Sequence, residues 1–215
     1  VLNFYFSMGI PLYQGYGMNE TCIITKNYPT KNKIGSVGPV FPNVVIKFDE
    51  EGQILVKNSF PVATSYLLCE KDERHVFMQE GYIATGDIGE MDEEGYLHIT
   101  GRIKEMIALS NSKKIFPAAI ETKIKSYPEI DYCIIYGDNR PYLSAMIVPS
   151  GKTIDRHVIQ GILDEYNSNS KEEERIYRFF IVYDNLETLL TNQHKVRRQS
   201  IFEQYSSEFS KLYDS

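Results

Sequence analysis

Two short acidic loops ending in glycine, Asp49-Glu50-Glu51-Gly52 and Asp92-Glu93-Glu94-Gly95, constrain the first half of this chain more than any other feature. Val44 to Phe48 and Ile54 to Lys57 flank the first, and the run from Glu90 to Ile99 contains the second. Turn formers between short β-prone runs are hairpin signals, so antiparallel sheet is predicted here. Ile34 to Pro42, punctuated by Gly35, Gly38, Pro39 and Pro42, reads as the loop that leads into these strands. Upstream, Val1 to Met8 is apolar and aromatic with helical or buried character, and Gly9 to Gly17 reads as a short strand running into a glycine-rich turn. Cys69 to Gln79 is charged and reads as an exposed helix.

From Met106 the character changes. Met106 to Leu109 is an apolar strand, Ser110 to Lys114 a polar loop, and Pro117 opens an amphipathic helix with Ile120 and Ile124 on one face. Tyr132 to Tyr136 and Leu143 to Val148 read as antiparallel strands around Gly137-Asp138-Asn139. Thr153 to Tyr166 is predicted helical, with Ile154, Val158, Ile162 and Tyr166 inward at four-residue intervals. Lys171 to Arg175 reads as a solvated helix face and Phe179 to Tyr183 as another strand.

A chain of 215 residues with 42% hydrophobic content holds one generous domain or two small ones. Its net charge of −6 gives no general attraction to nucleic-acid phosphates, and the run Lys195-Val196-Arg197-Arg198 is too local to reverse that. Cys22, Cys69 and Cys133 are odd in number and widely spaced, which supports neither a disulfide framework nor a zinc site and fits a reducing, cytoplasmic setting. No apolar run approaches the ~20 residues that span a bilayer, so no transmembrane segment is expected, with peripheral membrane contact left open. The first residues lack the basic start and cleavage site of a signal peptide. They begin without a methionine, inside an apolar run, as a C-terminal fragment of a longer chain would.

The chemistry concentrates in Tyr82-Ile83-Ala84-Thr85-Gly86-Asp87 and Gly101-Arg102-Ile103-Lys104-Glu105. The first segment sets the Asp87 carboxylate after a tight Thr-Gly turn, where two acceptor oxygens can take hydrogen bonds from a vicinal diol such as a ribose. The second packs a guanidinium, a lysine and a carboxylate at a strand exit. Alone, Thr-Gly-Asp is an ordinary turn and Arg-Ile-Lys-Glu an ordinary solvated face. The order of turn, acidic-Gly hairpin and Gly-Arg-x-Lys-Glu within a short span is what raises both above that background.

In that order the stretch resembles the ATP-dependent adenylate-forming enzymes, the AMP-forming acyl-CoA synthetase family, and is closest in pattern to long-chain fatty acid–CoA ligases. Tyr16-Gly17-Met18-Asn19-Glu20-Thr21 resembles the family's Tyr-Gly-x-Thr-Glu segment. The resemblance implies that Tyr16 and Gly17 line the adenine, Asn19 stands where a threonine contacts the adenylate phosphate, and Glu20 is a catalytic carboxylate and Mg²⁺ ligand. A hard cation needs oxygen ligands, and Mg²⁺ takes only one or two from protein, with phosphates and water completing its shell. Asp87 would hold the ribose and Arg102 support it. Lys104 is at the hinge position, and Ser110, Ser112 and Lys113 belong to the loop near coenzyme A, Ser112 replacing a glycine. Leu189 to Arg198 resembles the segment of the adenylation lysine, here Lys195. An ammonium on a long flexible stem suits a charge that swings in to meet a developing phosphate.

The resemblance implies an α+β fold in two parts. Residues 1–103 would be the incomplete C-terminal part of the large adenylate-forming domain, with a β-barrel-like subdomain, and residues 104–215 a small mobile α+β domain. The reaction implied is a two-step ligation in which a carboxylic acid, on the pattern of these motifs a long-chain fatty acid, is activated by ATP as acyl-AMP and transferred to coenzyme A. Transfer to a carrier protein, as in fatty acyl-AMP ligases, and a non-catalytic nucleotide-binding or interaction module remain alternatives. Nothing in the chain resembles the family's Ser/Thr/Gly-rich phosphate loop, so the 215 residues alone are expected to be inactive and to need the N-terminal part of the same enzyme.

Overall fold

The computed structural model describes residues 2–60, 63–67, 76–151, 154–183 and 196–214. The chain divides into two compact units, Val1–Lys104 and Glu105–Ser215, and both combine helices with open sheets.

The first unit opens with a short helix, α1 (Leu2–Ser7), and a two-stranded hairpin, β1 (Gly15–Met18) with β2 (Cys22–Lys26). Four antiparallel strands come next, β3 (Val44–Phe48), β4 (Gln53–Asn58), β5 (Ile83–Met91) and β6 (Leu97–Arg102), in that spatial order. Both acidic loops close hairpins as their sequences predict, and by the same means. The Asp49 carboxylate accepts the backbone N–H groups of Glu51 at 3.0 Å and Gln53 at 2.8 Å, and Asp92 accepts those of Glu94 at 3.0 Å and Tyr96 at 2.9 Å. An aspartate that satisfies the turn's own amides specifies the reversal locally.

Residues 34–42 strap the hairpin to the sheet. Phe41 donates its N–H to Ile24 on β2 at 3.0 Å, while Val37 and Leu97 on β6 form two further backbone bonds, Val37 N–H to Leu97 at 2.8 Å and Leu97 N–H to Gly38 at 3.1 Å. Beneath the strap lies a core of Ile24, Ile54, Val56 and Leu97, each fully buried. The barrel-like subdomain expected here is an open sheet: among the described residues β3 and β6 form its edges and do not pair with each other.

The second unit contains a small hairpin, β7 (Ile107–Ala108) with β8 (Lys114–Ile115), then α2 (Pro117–Ile124), β9 (Ile130–Tyr136), β10 (Leu143–Pro149), α3 (Arg156–Ser168), β11 (Ile176–Ile181), α4 (Arg198–Gln204) and α5 (Ser206–Lys211). The three longer strands lie in the order β11-β10-β9, with β9 antiparallel and β11 parallel to β10. Every residue of β10 is buried, because both faces of the sheet are covered. Ile135, Ala145 and Ile147 face a core shared with Ile120 and Ile124 of α2 and Ile159 and Leu163 of α3. Ile134, Met146 and Val148 face the opposite way, against Ile201, Tyr205 and Phe209 from the last two helices and the residue between them.

Several details depart from the pattern reading. Gly15 to Gly17 is strand, and the turn comes later, at Asn19-Glu20. Gly17 is needed for close approach: a Cβ there would meet the Cys22 carbonyl oxygen at 2.2 Å. In α3 the buried stripe is Ile159, Ile162, Leu163 and Tyr166, while Val158 is 46% exposed. A strict four-residue spacing drifts about 40° per step around a helix of 3.6 residues per turn, so it leaves the core-facing side. The run around Lys171 to Arg175 holds only a 3-10 turn, Glu172–Glu174. Of the helix expected over residues 69–79, all but the last four residues lie outside the described residues, and those four contain no α-helix.

Ile159→Ala is expected to cost about 2–5 kcal/mol and Val158→Ala under about 0.5 kcal/mol, read from urea unfolding midpoints. A second prediction concerns Tyr213, whose hydroxyl lies 2.8 Å from Ser144 Oγ and 3.1 Å from the Tyr142 carbonyl. Burial pushes its phenol up to about 12, against a smaller opposing effect of the Ser144 hydrogen bond. A raised folded-state value favours the protonated folded form, so its stabilisation is complete below the ordinary phenol value of about 10 and is lost as pH rises toward 12. Alkaline unfolding profiles of the wild type should therefore fall more steeply across that interval than those of Tyr213→Phe.

Candidate functional site

The strap that joins β2 to β6 brings Tyr16 of β1 against β5. There the Tyr16 hydroxyl donates to Asp87 Oδ2 at 2.7 Å, and Arg102 Nε donates to Asp87 Oδ1 at 2.8 Å from the neighbouring strand. Asp87 and Arg102 are direct cross-strand partners in the β5–β6 register, which fixes this ion pair by backbone geometry rather than by chance approach. Residues far apart in sequence thus meet at one carboxylate.

Asp87 does not follow a tight turn, as its sequence suggests. It sits within the continuous strand β5, where Thr85-Gly86-Asp87 bulges against β4 and shifts the register between Gln53 and Leu55. Gly86 takes a φ of +73°, a left-handed conformation that suits glycine. The bulge re-aims the Asp87 side chain, the usual effect of an extra residue in a strand. The backbone around it is satisfied locally: Thr85 Oγ1 donates to the Ile54 carbonyl at 2.9 Å and accepts the Asp87 N–H at 3.1 Å, and Gln53 Oε1 accepts the Gly86 N–H at 3.0 Å.

The carboxylate is nearly buried, with its side chain 11% exposed, whereas the Arg102 side chain is 63% exposed. Burial, chiefly, pushes the Tyr16 phenol well above its ordinary value, so the hydroxyl stays a donor to Asp87 across the physiological range. Each carboxylate oxygen has two lone pairs and one is engaged at each, so acceptor capacity remains for a diol.

Tyr16, Gly17 and Asn19 also line a groove of about 470 Å³ with Tyr13, Met18 and Lys26. Neither Asp87 nor Glu20 lines it, so the structure brings Tyr16 to both the groove and the carboxylate but does not place the whole predicted set around one cavity. Glu20 lies in the β1–β2 turn, where Asn58 Nδ2 donates to the Thr21 carbonyl at 2.8 Å. Its Oε1 accepts the Tyr66 hydroxyl, and the Tyr66 ring packs edge-on against Phe77 at 5.0 Å between centroids. This partner was not predicted: Tyr66 is 46 residues from Glu20 and no periodic pattern connects them. Among the described residues no cluster of three or more His, Cys, Asp or Glu surrounds a metal-sized space. A single carboxylate at Glu20 fits Mg²⁺ only in the mode in which phosphates and water supply the other ligands.

In the second unit, the predicted loop Ser110, Ser112 and Lys113 joins β7 to β8 and is tied down at several points. Ser110 N–H reaches the Arg140 carbonyl at 2.9 Å, Ser112 N–H the Leu109 carbonyl at 2.8 Å, and Asn111 Oδ1 accepts the Lys113 N–H at 3.1 Å. Ser112 adopts a φ of +65°, the left-handed region. Lys113 borders a groove of about 390 Å³ with Leu109, Asn111, Tyr142, Glu172 and Tyr177. Lys104 is exposed in the 3-10 turn Ile103–Glu105, where the first unit ends. Lys195 lies outside the described residues.

Residues 104–215 match the AMP-binding enzyme C-terminal domain family. The chain is 33% identical over 160 residues to the long-chain-fatty-acid–CoA ligase FadD15 of Mycobacterium bovis, an alignment covering 74% of this chain and 26% of that protein. It is 30% identical over 244 aligned positions to the putative fatty-acid–CoA ligase fadD11 of Mycobacterium tuberculosis, covering all of this chain and 42% of the relative. The chain therefore spans less than half the length of these relatives. Its fold superposes with a TM-score of 0.78 on the anthranilate CoA ligase AuaEII in complex with anthranoyl-AMP, at 21% identity, covering 96% of this chain and 41% of that one. Matched over more than half its length from Lys104 onward, and aligned from end to end with a relative at 30% identity, this chain belongs to the family of AMP-binding enzymes.

Proposed function

We propose that this chain forms the C-terminal portion of an ATP-dependent acid–thiol ligase, one that activates a long-chain fatty acid as acyl-AMP and passes it to coenzyme A. The observation that carries the reading is the convergence of Tyr16 and Arg102 on the two oxygens of Asp87, a preorganised acceptor for a ribose diol. The acyl preference is drawn from the relatives FadD15 and fadD11.

In this reading Asp87 accepts the ribose hydroxyls, while Tyr16 and Arg102 hold its carboxylate in one rotamer. Tyr16 and Gly17 border the adenine, and the Asn19 amide faces the phosphate as a hydrogen-bond donor. Glu20, braced by Tyr66, would hold Mg²⁺, which supplies neutralising charge to the phosphates. Lys195 donates to the oxygen on which charge develops as the acid attacks the α-phosphate. Pyrophosphate then leaves, and the thiolate displaces AMP. The two steps need different groups at one phosphorus-bearing site, so residues 104–215 rotate about Lys104 as a mobile domain. The Ser110 to Lys113 loop then meets the incoming thiol.

In the full-length ligase, Asp87→Ala should raise KM for ATP roughly 10-fold or more, the scale of a hydrogen bond to a charged group, with KM for the acid unchanged. Lys195→Ala should slow ATP–pyrophosphate exchange roughly 100-fold or more, as removal of a transition-state donor does, yet spare thioester formation from supplied acyl-AMP. The 215-residue chain alone should turn over neither substrate, and ATP-dependent thioester synthesis by it would overturn the assignment of roles. Carrier protein offered in place of coenzyme A identifies the acceptor.

A further inference from the structure

The stretch Thr85-Gly86-Asp87 is longer than the strand it lies beside. Gln53 pairs with Ile88 and Leu55 with Ala84, so between these two pairs β4 supplies one residue, Ile54, and β5 supplies three. Three residues cannot share the ladder bonds of one, and side chains take over. Thr85 Oγ1 donates to the Ile54 carbonyl and accepts the Asp87 N–H. The Gly86 N–H goes to Gln53 Oε1 at 3.0 Å. Among the described residues, chain neighbours aside, nothing lies within 4 Å of the place a Cβ on Gly86 would take. Packing therefore does little to fix this left-handed residue, and the bond to Gln53 does.

Gln53 is itself held from its other end. Its Nε2 donates to Asp49 Oδ2 at 2.9 Å, while Asp49 Oδ1 takes the turn amides of Glu51 and Gln53. Burial works to raise the Asp49 carboxyl, but the Gln53 amide and the backbone N–H groups of the turn outweigh it and hold the group below its usual value. A backbone N–H only donates and an ionised carboxylate only accepts. The Gln53 amide thus has one orientation, oxygen toward Gly86 and nitrogen toward Asp49. A carboxamide of this length meets both demands; a glutamate would set like charges together, and a methionine would bond neither partner.

We propose that Gln53 is a positioning residue for the nucleotide: by holding Gly86 it sets the direction in which the Asp87 carboxylate leaves the strand, and with it the selection of an intact ribose diol, a role that rests on the reading of Asp87 as the ribose acceptor. Tyr16 and Arg102 grip the two carboxylate oxygens, whereas Gln53 controls the backbone that carries them. A small misplacement of a group that positions a substrate is costly. The acidic loop at Asp49 then has two tasks, closing the β3–β4 hairpin and orienting the amide that shapes the bulge.

The test uses Gln53→Met and Asp49→Asn in the full-length ligase, with kcat/KM measured for ATP, 2′-deoxy-ATP and 3′-deoxy-ATP. Wild type is expected to favour ATP over at least one deoxy analogue roughly 10-fold or more, the scale of a hydrogen bond to a charged group. Both variants should cut that ratio about 3-fold or more and leave KM for the acid unchanged. In Asp49→Asn the substituted side chain keeps an oxygen for the turn and presents its nitrogen to Gln53, which turns the Gln53 amide over and sets N–H against N–H at Gly86. A smaller change in the ratio, even with overall activity lowered, would overturn the proposal and leave Gln53 a structural residue.

A second arm needs no catalysis. In the 215-residue chain the Gly86 amide should exchange with solvent roughly 10-fold faster or more in Gln53→Met, with the rest of β4 and β5 still protected. Unchanged exchange at Gly86 would overturn the hold of Gln53 on the bulge. Loss of protection throughout both strands would mean that Gln53→Met unfolds, and Asp49→Asn then decides. If the wild-type ligase uses both deoxy analogues as well as ATP, the diol reading of Asp87 fails and the role of Gln53 with it. If wild type discriminates and the variants do so equally, the role of Gln53 alone fails.

Discussion

The first unit depends on the backbone hydrogen bonds by which residues 34–42 join β2 to β6. Without them the β1–β2 hairpin would be a two-stranded ribbon, which is marginal in water. With them it becomes one wall of a shared core around Ile24, Ile54, Val56 and Leu97. Tyr16 belongs to that wall, so the hydrogen bonds that stabilise the unit also set the distance from its hydroxyl to Asp87. The carboxylate is positioned from three directions: by the bulge at Thr85-Gly86, by the cross-strand register that supplies Arg102, and by the strap that delivers Tyr16. Fold and site share the same bonds.

Local chemistry was legible in the sequence wherever a few adjacent residues decide the outcome. Asp49 and Asp92 each satisfy the amides of their own turn, and Pro117 starts α2 with Ile120 and Ile124 inward, because those choices need no distant partner. Nonlocal outcomes were not legible. Nothing near Ile176 announces that β11 will run parallel to β10, since that depends on α3 carrying the chain back across the sheet. The glycines at 15 and 17 suggested a turn because glycine is the common turn former, but Gly17 serves close contact between two strands instead.

The candidate site divides along the same line. Asp87 and Arg102 could be singled out from their segments, while their pairing needed the β5–β6 register and the role of the Tyr16 hydroxyl needed the strap. Tyr66 beside Glu20 and Glu121 beside Arg198 join residues 46 and 77 positions apart. Neither pair leaves a periodic trace. Ser112 is a different case: a side chain occupies a backbone conformation that glycine takes at less cost. The asparagine turn at Asn111 and the bond from Ser112 N–H to Leu109 hold it there.

The double covering of β10 has a consequence for how the second unit comes into being. The face that carries Ile135, Ala145 and Ile147 is closed by α2 and α3, whose residues precede or shortly succeed the strand. The opposite face, with Ile134, Met146 and Val148, waits for Ile201, Tyr205 and Phe209, far downstream of β10. During synthesis, that second face emerges bare and oily well before its lid is made. A growing chain of this sequence therefore passes through a stage at which it would stick to neighbours or to a chaperone, and loss of its final two helices would leave it there.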